Sequence, residues 1–243
     1  MSIHIDIIKE PTPDRPYLVI YKPKGLPSAP LTADDKDNAL AQACAMYPQI
    51  KSVCGKKAIE YGLLHRLDTA TDGLMVIASS QECYDFLMTE QREGRFIKTY
   101  RAQCDIIPDN SEVLGGFPPV PSSPSTVRSY FRPYGQGRKE VRPVTEESGK
   151  AALSKLGSKK LYTTKIEITR ISDTRATALC EITEGYRHQV RCHLAWAGYP
   201  VVGDALYNSD KKNAENLLFS ATKISFEYPR GDLNSYDRKD TWT

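Results

Sequence analysis

Two short stretches concentrate the residues that can do chemistry. The first is His65-Arg66-Leu67-Asp68-Thr69-Ala70-Thr71-Asp72, followed by Gly73 and the apolar run Leu74-Met75-Val76-Ile77-Ala78. A carboxylate at the mouth of a buried strand is held on rigid backbone, as a catalytic group must be. The same position suits an ordinary turn aspartate that bonds backbone amides two residues on. Asp68 by itself leaves both readings open. The second stretch, Gly185 to Leu194 (GYRHQVRCHL), puts two arginines and two histidines at the start of a predicted helix. Arg187 and Arg191, four apart, are expected on one helix face. Cations at a helix N-terminus oppose its dipole at a cost of about 0.3–1 kcal/mol each. That cost points to anionic partners, a carboxylate or phosphates. The competing reading is an exposed basic patch, with His188 and His193 as satisfied core histidines. Two histidines with no cysteine or carboxylate at ligand spacing argue against a metal centre. A third segment, Lys22-Pro23-Lys24-Gly25-Leu26-Pro27, is a stiff basic turn. It either ends a strand or sets two lysines beside a phosphate.

Rigid elements must hold these residues. Tyr17–Tyr21 and Leu74–Ala78 are compact apolar strands by length and composition. Residues 2–8 predict a short strand, and residues 37–46 a helix stopped by Pro48. Ser79 and Glu82 have capping-box spacing ahead of a helix running to about Gln91. Phe96–Asp105 reads as a strand with Lys98, Tyr100 and Gln103 as its polar members. Val127–Tyr134 is another. Residues 106–124, rich in Pro, Gly and Ser, read as a surface excursion of the Ω type. Residues 145–160 lack a pattern and are expected to be mobile. Tyr162–Ile171 and Arg175–Thr183 form a predicted hairpin, Arg187–Ala197 a helix closed by Gly198, and Leu217–Tyr228 the last strand. The tail after Pro229 is expected to be loose. The sum is α+β, with a mixed, mostly antiparallel central sheet flanked by short helices and loops.

Composition bounds the function. A chain of 243 residues, 40% hydrophobic and 26% charged, can bury a real core, and its net charge of +3 permits a nucleic-acid partner without demanding one. The six cysteines, at 44, 54, 83, 104, 180 and 192, contain no CxxC pair, so reduced thiols in a cytoplasmic protein are expected rather than a disulfide framework or a zinc site. No stretch approaches the ~18 apolar residues of a membrane span. No internal repeat is visible.

Taken together, the stretches carry a resemblance. HRLDTATDGLMV resembles the HRLDxxTSGLLV signature of the RluA family of RNA pseudouridine synthases. YKPKGLP is similar to that family's NKPxGLP, IKTYRA to its KxY strand, and GYRHQVRCHLAWAGYPVVGDALY to its GRTHQIRVHLxxxGxPIxGDxLY block. LLFSATKISFEYP matches LxLHAxxLxFxHP in apolar pattern. The segments run in order from Tyr21 to Pro229, which is far more specific than any one alone.

The resemblance implies a pseudouridine synthase fold in a single catalytic domain over residues 1–243, with its core at about 17–229 and no N-terminal S4 domain. It implies isomerisation of uridine in rRNA or tRNA to pseudouridine, without metal or other cofactor, by a cytoplasmic monomer. Asp68 matches the catalytic aspartate. Tyr100 matches the tyrosine that stacks on the target uracil and is a candidate for taking the C5 proton. Arg191 matches the arginine paired with the catalytic aspartate. Substrate binding falls to Lys22, Lys24, His65, Arg66, Leu67, Thr71, Arg187, His188, Gln189 and Leu218. Basic segments at Lys22/Lys24, Lys51/Lys56/Lys57 and 135–139 are expected to follow the RNA backbone. Three departures stand out. Asp72 replaces a serine and adds a negative charge near Asp68. Tyr186 replaces the first arginine of GRTHQIR, with Arg187 at the threonine position. Ser220 replaces a histidine. The alternative to an enzyme is an impaired RNA-binding relative.

Overall fold

A computed structural model describes residues 3–107, 126–209 and 216–239. The expected excursion at 106–124 falls almost wholly outside the described residues. The chain forms two compact units, Met1–Lys98 with Ser220–Thr243, and Thr99–Phe219.

The first unit is built on β1 (Asp6–Lys9), β2 (Tyr17–Lys22), β3 (Asp72–Ala78), β9 (Phe219–Glu227) and β10 (Leu233–Asp237), in the order β1-β2-β3-β9 with β10 on β9. Every residue of β2 and β3 is buried. Continuous apolar runs, rather than alternation, follow from having both faces covered. The β1–β2, β2–β3 and β9–β10 pairs are antiparallel. Strand β3 meets β9 in parallel through Asp72↔Ser220 and Gly73↔Ala221. Helix α1 (Ala39–Met46) is capped by the Asn38 side chain, which accepts from the Ala41 amide. Helix α2 (Gln81–Arg92) buries Cys83, Tyr84 and Leu87 against Val19, Val76 and Phe96. Its N-cap is Ser80, which accepts from the Cys83 amide, not Ser79 as the capping-box spacing suggested. Ser79 instead closes the strand end by donating its amide to the Pro16 carbonyl. Within the tail, where a loose end was expected, residues Leu233–Asp237 form a strand. Tyr17 donates its phenol to Asn234 Oδ1 at 2.8 Å, and β10 follows from that anchor.

The second unit carries β4 (Ile97–Asp105), β5 (Thr126–Tyr134), β6 (Glu140–Val144), β7 (Tyr162–Arg170) and β8 (Arg175–Ile182), in the order β4-β8-β7-β5-β6. The β7–β8 hairpin is antiparallel as read from the sequence. Strand β6 was not foreseen; its Pro143 hides a short strand from propensity rules. Residues 145–160 contain one short helix, α3 (Lys150–Leu153). Helix α4 (Gln189–Trp196) is buried along its whole length, and its Cys192 and Ala195 pack with Phe131, Val141 and Tyr207. The expected α+β class with a mixed, mostly antiparallel set of strands is what is found. No helix among the described residues is long and apolar enough to cross a membrane.

Gly73 is a position where the close approach of two strands requires glycine. Its φ is +136°, and a Cβ there would lie 2.3 Å from the Ala221 carbonyl oxygen of β9. Gly73→Ala must push β3 and β9 apart. It is expected to cost more than about 2 kcal/mol of stability, read from the urea midpoint; a loss under about 0.5 kcal/mol would contradict the close strand approach.

Candidate active site

In the first unit, the Asp68 turn is held through its backbone. Leu64 donates its amide to Val76 O and Leu63 bridges Ile77, so the chain enters alongside β3. Ser28 then grips Leu67 twice: its hydroxyl donates to Leu67 O at 2.7 Å and accepts from Leu67 N at 2.9 Å. On the other side of Asp68, Thr69 O accepts from Gly25 N at 2.8 Å. Gly25 has φ +83°, the left-handed region that suits glycine, so the basic turn can aim this amide inward. Thr71 N donates to Asp68 O at 3.0 Å and closes the turn. Asp68 is partly buried.

Lys22 lies beneath this turn with no exposure at all. Its ammonium donates to the carbonyls of Pro23 (2.9 Å), Leu26 (2.8 Å) and Thr69 (3.4 Å). Burial pushes its pKa down to about 8, against the opposing pull of the Asp72 and Asp68 carboxylates. The structure places Lys22, from which an RNA contact was expected, inside the turn with its ammonium on three carbonyls. Lys24 keeps a partly exposed side chain and lies 3.8 Å from Asp72 Oδ1.

The other residues of the stretch divide. His65 accepts the Val76 amide at Nε2 (3.3 Å) and packs edge-on against Phe96. Burial first, and the Lys98 charge second, hold it neutral. His65 thus braces β3 through Nε2, while its buried Nδ1 has no hydrogen-bond partner among the described residues. Leu67 is core. Arg66 is half-exposed and pairs with Glu60 at 3.1 Å. Thr71 is buried, and its hydroxyl has no hydrogen-bond partner among the described residues.

In the second unit, Tyr100 of β4 is buried and its ring lies parallel on Phe219, 5.2 Å between centroids and 8° between planes. Gln103 N donates to Leu218 O at 3.0 Å, which places half-buried Leu218 along β4. Arg191 is buried on α4 and gripped side-on by Asp204: Nε and Nη2 each donate at 2.7 Å. Burial pushes the Asp204 carboxyl up, but the Arg191 bonds and charge, with the Leu206 and Tyr207 amides, outweigh it and hold the carboxyl below its ordinary value. Asp204 was missed as a site residue. Its signal was the GDALY string, in which an aspartate recurs beside the arginine block.

Helix α4 starts later than expected. His188 is its N-cap, in the left-handed region at φ +57°, so Arg187 precedes the helix and does not share a face with Arg191. Arg187 is exposed and donates to the carbonyls of Arg138 (2.5 Å) and Glu140 (3.1 Å). Tyr207 Oη accepts the Val141 amide at 2.9 Å and lies 3.0 Å from His188 Nδ1. Gln189 donates to Thr163 O and Thr164 Oγ1 and accepts from Tyr186 N. These bonds hold the turn from which a substrate contact of Gln189 was expected. Tyr186 stacks on Phe131 at 5.0 Å, so the ring that replaces an arginine joins the core. His193 is a core histidine between Ser129 and Thr164, and burial brings its pKa down to about 3.

Lys22 has a titration consequence. Between pH 8 and 10.5 the unfolded lysine is protonated and the folded one is not, so the fold gains stability as pH rises through that window. Wild type should therefore gain on Lys22→Met between pH 7.5 and 10 by up to about 3 kcal/mol in urea unfolding. A difference independent of pH would sink the buried-ammonium assignment.

Comparisons with known proteins point to one family. The family model described as RNA pseudouridylate synthase matches residues 16–196. The dual-specificity RNA pseudouridine synthase RluA of Escherichia coli (strain K12) is 28% identical over 220 residues, covering 89% of this chain and 85% of that protein. Ribosomal large subunit pseudouridine synthase D of Pseudomonas aeruginosa is 30% identical over 235 residues, 96% of this chain and 63% of that one. Two solved human structures, RNA pseudouridylate synthase domain containing 1 and 4, share the fold, with TM-scores of 0.64 and 0.63, identities of 18% and 19%, and coverage of 99% and 96% of this chain against 85% and 87% of theirs. With the matched family model spanning most of the chain, and an aspartate turn and an arginine helix built as described, the chain belongs to the RNA pseudouridylate synthase family.

Proposed function

We propose that Asp68 is the nucleophile of this RNA pseudouridine synthase, acting on uridine in rRNA or tRNA. The carrying observation is the clamped turn: Ser28 holds Leu67 and Gly25 holds Thr69, so the backbone on either side of Asp68 is fixed. A carboxylate fixed in place reacts without first losing its freedom. It attacks the target nucleoside at C1′ or C6. On the C1′ route the carboxylate oxygen displaces N1, the uracil turns, C5 displaces the carboxylate from C1′, and the C5 proton then leaves. On the C6 route the carboxylate adds to C6, the N1–C1′ bond breaks, C5 joins C1′, and loss of the C5 proton and of the carboxylate from C6 restores the ring and the free Asp68.

A uridine inside a helix is out of reach, so the base is flipped out and needs an aromatic platform. Tyr100, backed by Phe219, supplies that platform and is the candidate acceptor of the C5 proton. Arg191 is assigned the counter-charge of Asp68. The Asp204 grip on Nε and Nη2 fixes the orientation of the guanidinium, a group whose planar fork suits carboxylates. The buried hydroxyl of Thr71 suits a polar atom of the nucleoside. Exposed Lys51, Lys56, Lys57, Arg138 and Lys139 suit the phosphates. Lys24, Arg66, Arg187, His188 and Leu218 keep their expected substrate contacts in this reading. RluA is named dual-specificity and synthase D is named for the large ribosomal subunit, which is why both RNA classes are kept. The free cysteines, all but Cys54 buried, suit a reducing cytoplasm. One chain supplies all the assigned groups, so a monomer is the working unit.

RNA carrying tritium at uridine C5 tests the proposal. Wild type should release tritium, and Asp68→Asn should release about 10³-fold less; equal release from both would end the assignment. Arg191→Ala should abolish turnover with RNA affinity nearly kept. Lys139→Ala should instead weaken binding and lower the slope of log affinity against log salt by about one.

A further inference from the structure

Set against the family strings, the chain departs at Tyr21 (asparagine in NKPxGLP), Asp72 (serine) and Ser220 (histidine). These positions are far apart in the chain, yet their side chains meet. Tyr21 Oη donates to Asp72 Oδ2 at 2.7 Å, and Ser220 Oγ donates to Asp72 Oδ1 at 2.8 Å. Lys24 Nζ lies 3.8 Å from Oδ1. The three residues sit on β2, β3 and β9, at the end of β3 where the Asp68 turn leaves the sheet.

Asp72 is 1% exposed and Ser220 is also 1% exposed. A carboxylate at that depth is tolerated only with donors on its oxygens. The reverse also holds. Serine at 72 would leave the Tyr21 phenol and the Ser220 hydroxyl without the acceptor both now use, and an unmet buried hydroxyl is costly. The Asp72 carboxylate and the hydroxyls of Tyr21 and Ser220 thus match each other as acceptor and donors.

The cluster also reaches Asp68. Asp72 attracts Lys24, the residue next to Gly25, and the Gly25 amide holds Thr69 O, one residue beyond Asp68. The Asp72 carboxylate adds to the field that favours a charged Lys22, whose ammonium bonds the same Thr69 carbonyl. Two carboxylates, Asp68 and Asp72, and two ammonium groups, Lys22 and Lys24, share this corner of the unit.

We infer that Tyr21, Asp72 and Ser220 are a co-substituted unit, in which Asp72 is a positioning residue that holds Lys24 and the Asp68 turn, with Tyr21 and Ser220 as its dedicated donors. The inference rests on the reading of Asp68 as nucleophile. The departures at Tyr21, Asp72 and Ser220 are then one change of hardware, separate from the one at Tyr186. They do not mark a failing active site.

A four-protein cycle tests it: wild type, Asp72→Ser, Tyr21→Asn/Ser220→His, and the triple variant that restores the family residues. On rRNA and tRNA transcripts tritiated at uridine C5, Asp72→Ser and the double variant should each lose about tenfold in kcat with KM within about threefold. The triple variant should return to within about threefold of wild type. A triple variant carrying the product of the two losses, about 100-fold, would overturn the unit. A rise in KM with kcat unchanged in Asp72→Ser would overturn the positioning role. Melting temperatures of the four proteins read the coupling without the assay. Recovery in the triple variant supports it, and a triple variant melting no higher than the weaker partial variant refutes it. If wild type released no tritium, the nucleophile reading would fall, while the melting cycle would still decide whether the three residues act together.

Discussion

The first unit depends on one buried ammonium. Lys22 sits at the end of a fully buried strand, and its charge is satisfied by three carbonyls and by the field of two carboxylates. Charges at that depth are destabilising unless bonded and compensated. The turn from Pro23 to Leu26 must therefore curl around the ammonium, and Thr69 must present its carbonyl to it. Once that geometry is imposed, Gly25 N and Ser28 Oγ are in place to clamp either side of Asp68. The basic turn that looked like a phosphate clasp is a scaffold for the aspartate.

The second unit obeys the same rule with a carboxylate in place of the carbonyls. There the buried cation is Arg191, and Asp204 answers it with both oxygens while its own charge is held by two amides. Tyr207, next to those amides, ties β6 to the His188 turn through its phenol. Each reactive candidate is thus set by a neighbour with no assigned contact to substrate: Asp68 by Lys22 and Ser28, Arg191 by Asp204, Tyr100 by Phe219. Such neighbours fix the geometry to the tolerance that chemistry requires.

Much of the architecture was readable in the chain. The apolar runs of β2 and β3, the 162–182 hairpin and α2 are dictated by local pattern, because a strand with both faces buried or an amphipathic helix writes its own periodicity. Local signals failed where a distant partner decides. Ser80 caps α2 because Ser79 is drawn to Pro16. Residues 233–237 pair with β9 because Tyr17 anchors Asn234. Helix α4 starts at Gln189, not Arg187, because His188 adopts a left-handed conformation and turns the chain there.

For function, the sequence by itself determined which groups are present and in what order: an aspartate after His-Arg-Leu, a tyrosine on a strand, an arginine helix and a GD motif, enough to point to one family. Residue type and spacing carry that much because the reaction needs those groups. Only the tertiary structure decided what each polar side chain is spent on. Lys22, His65 and Gln189 carry the chemistry of substrate contacts but bond inward, and Asp72, which looked like an unwelcome charge, lies between two hydroxyl donors and an ammonium. Hydrogen-bond partners lie 51 and 148 residues from Asp72 along the chain. Such pairings are fixed by strand register and burial, and neither quantity is local.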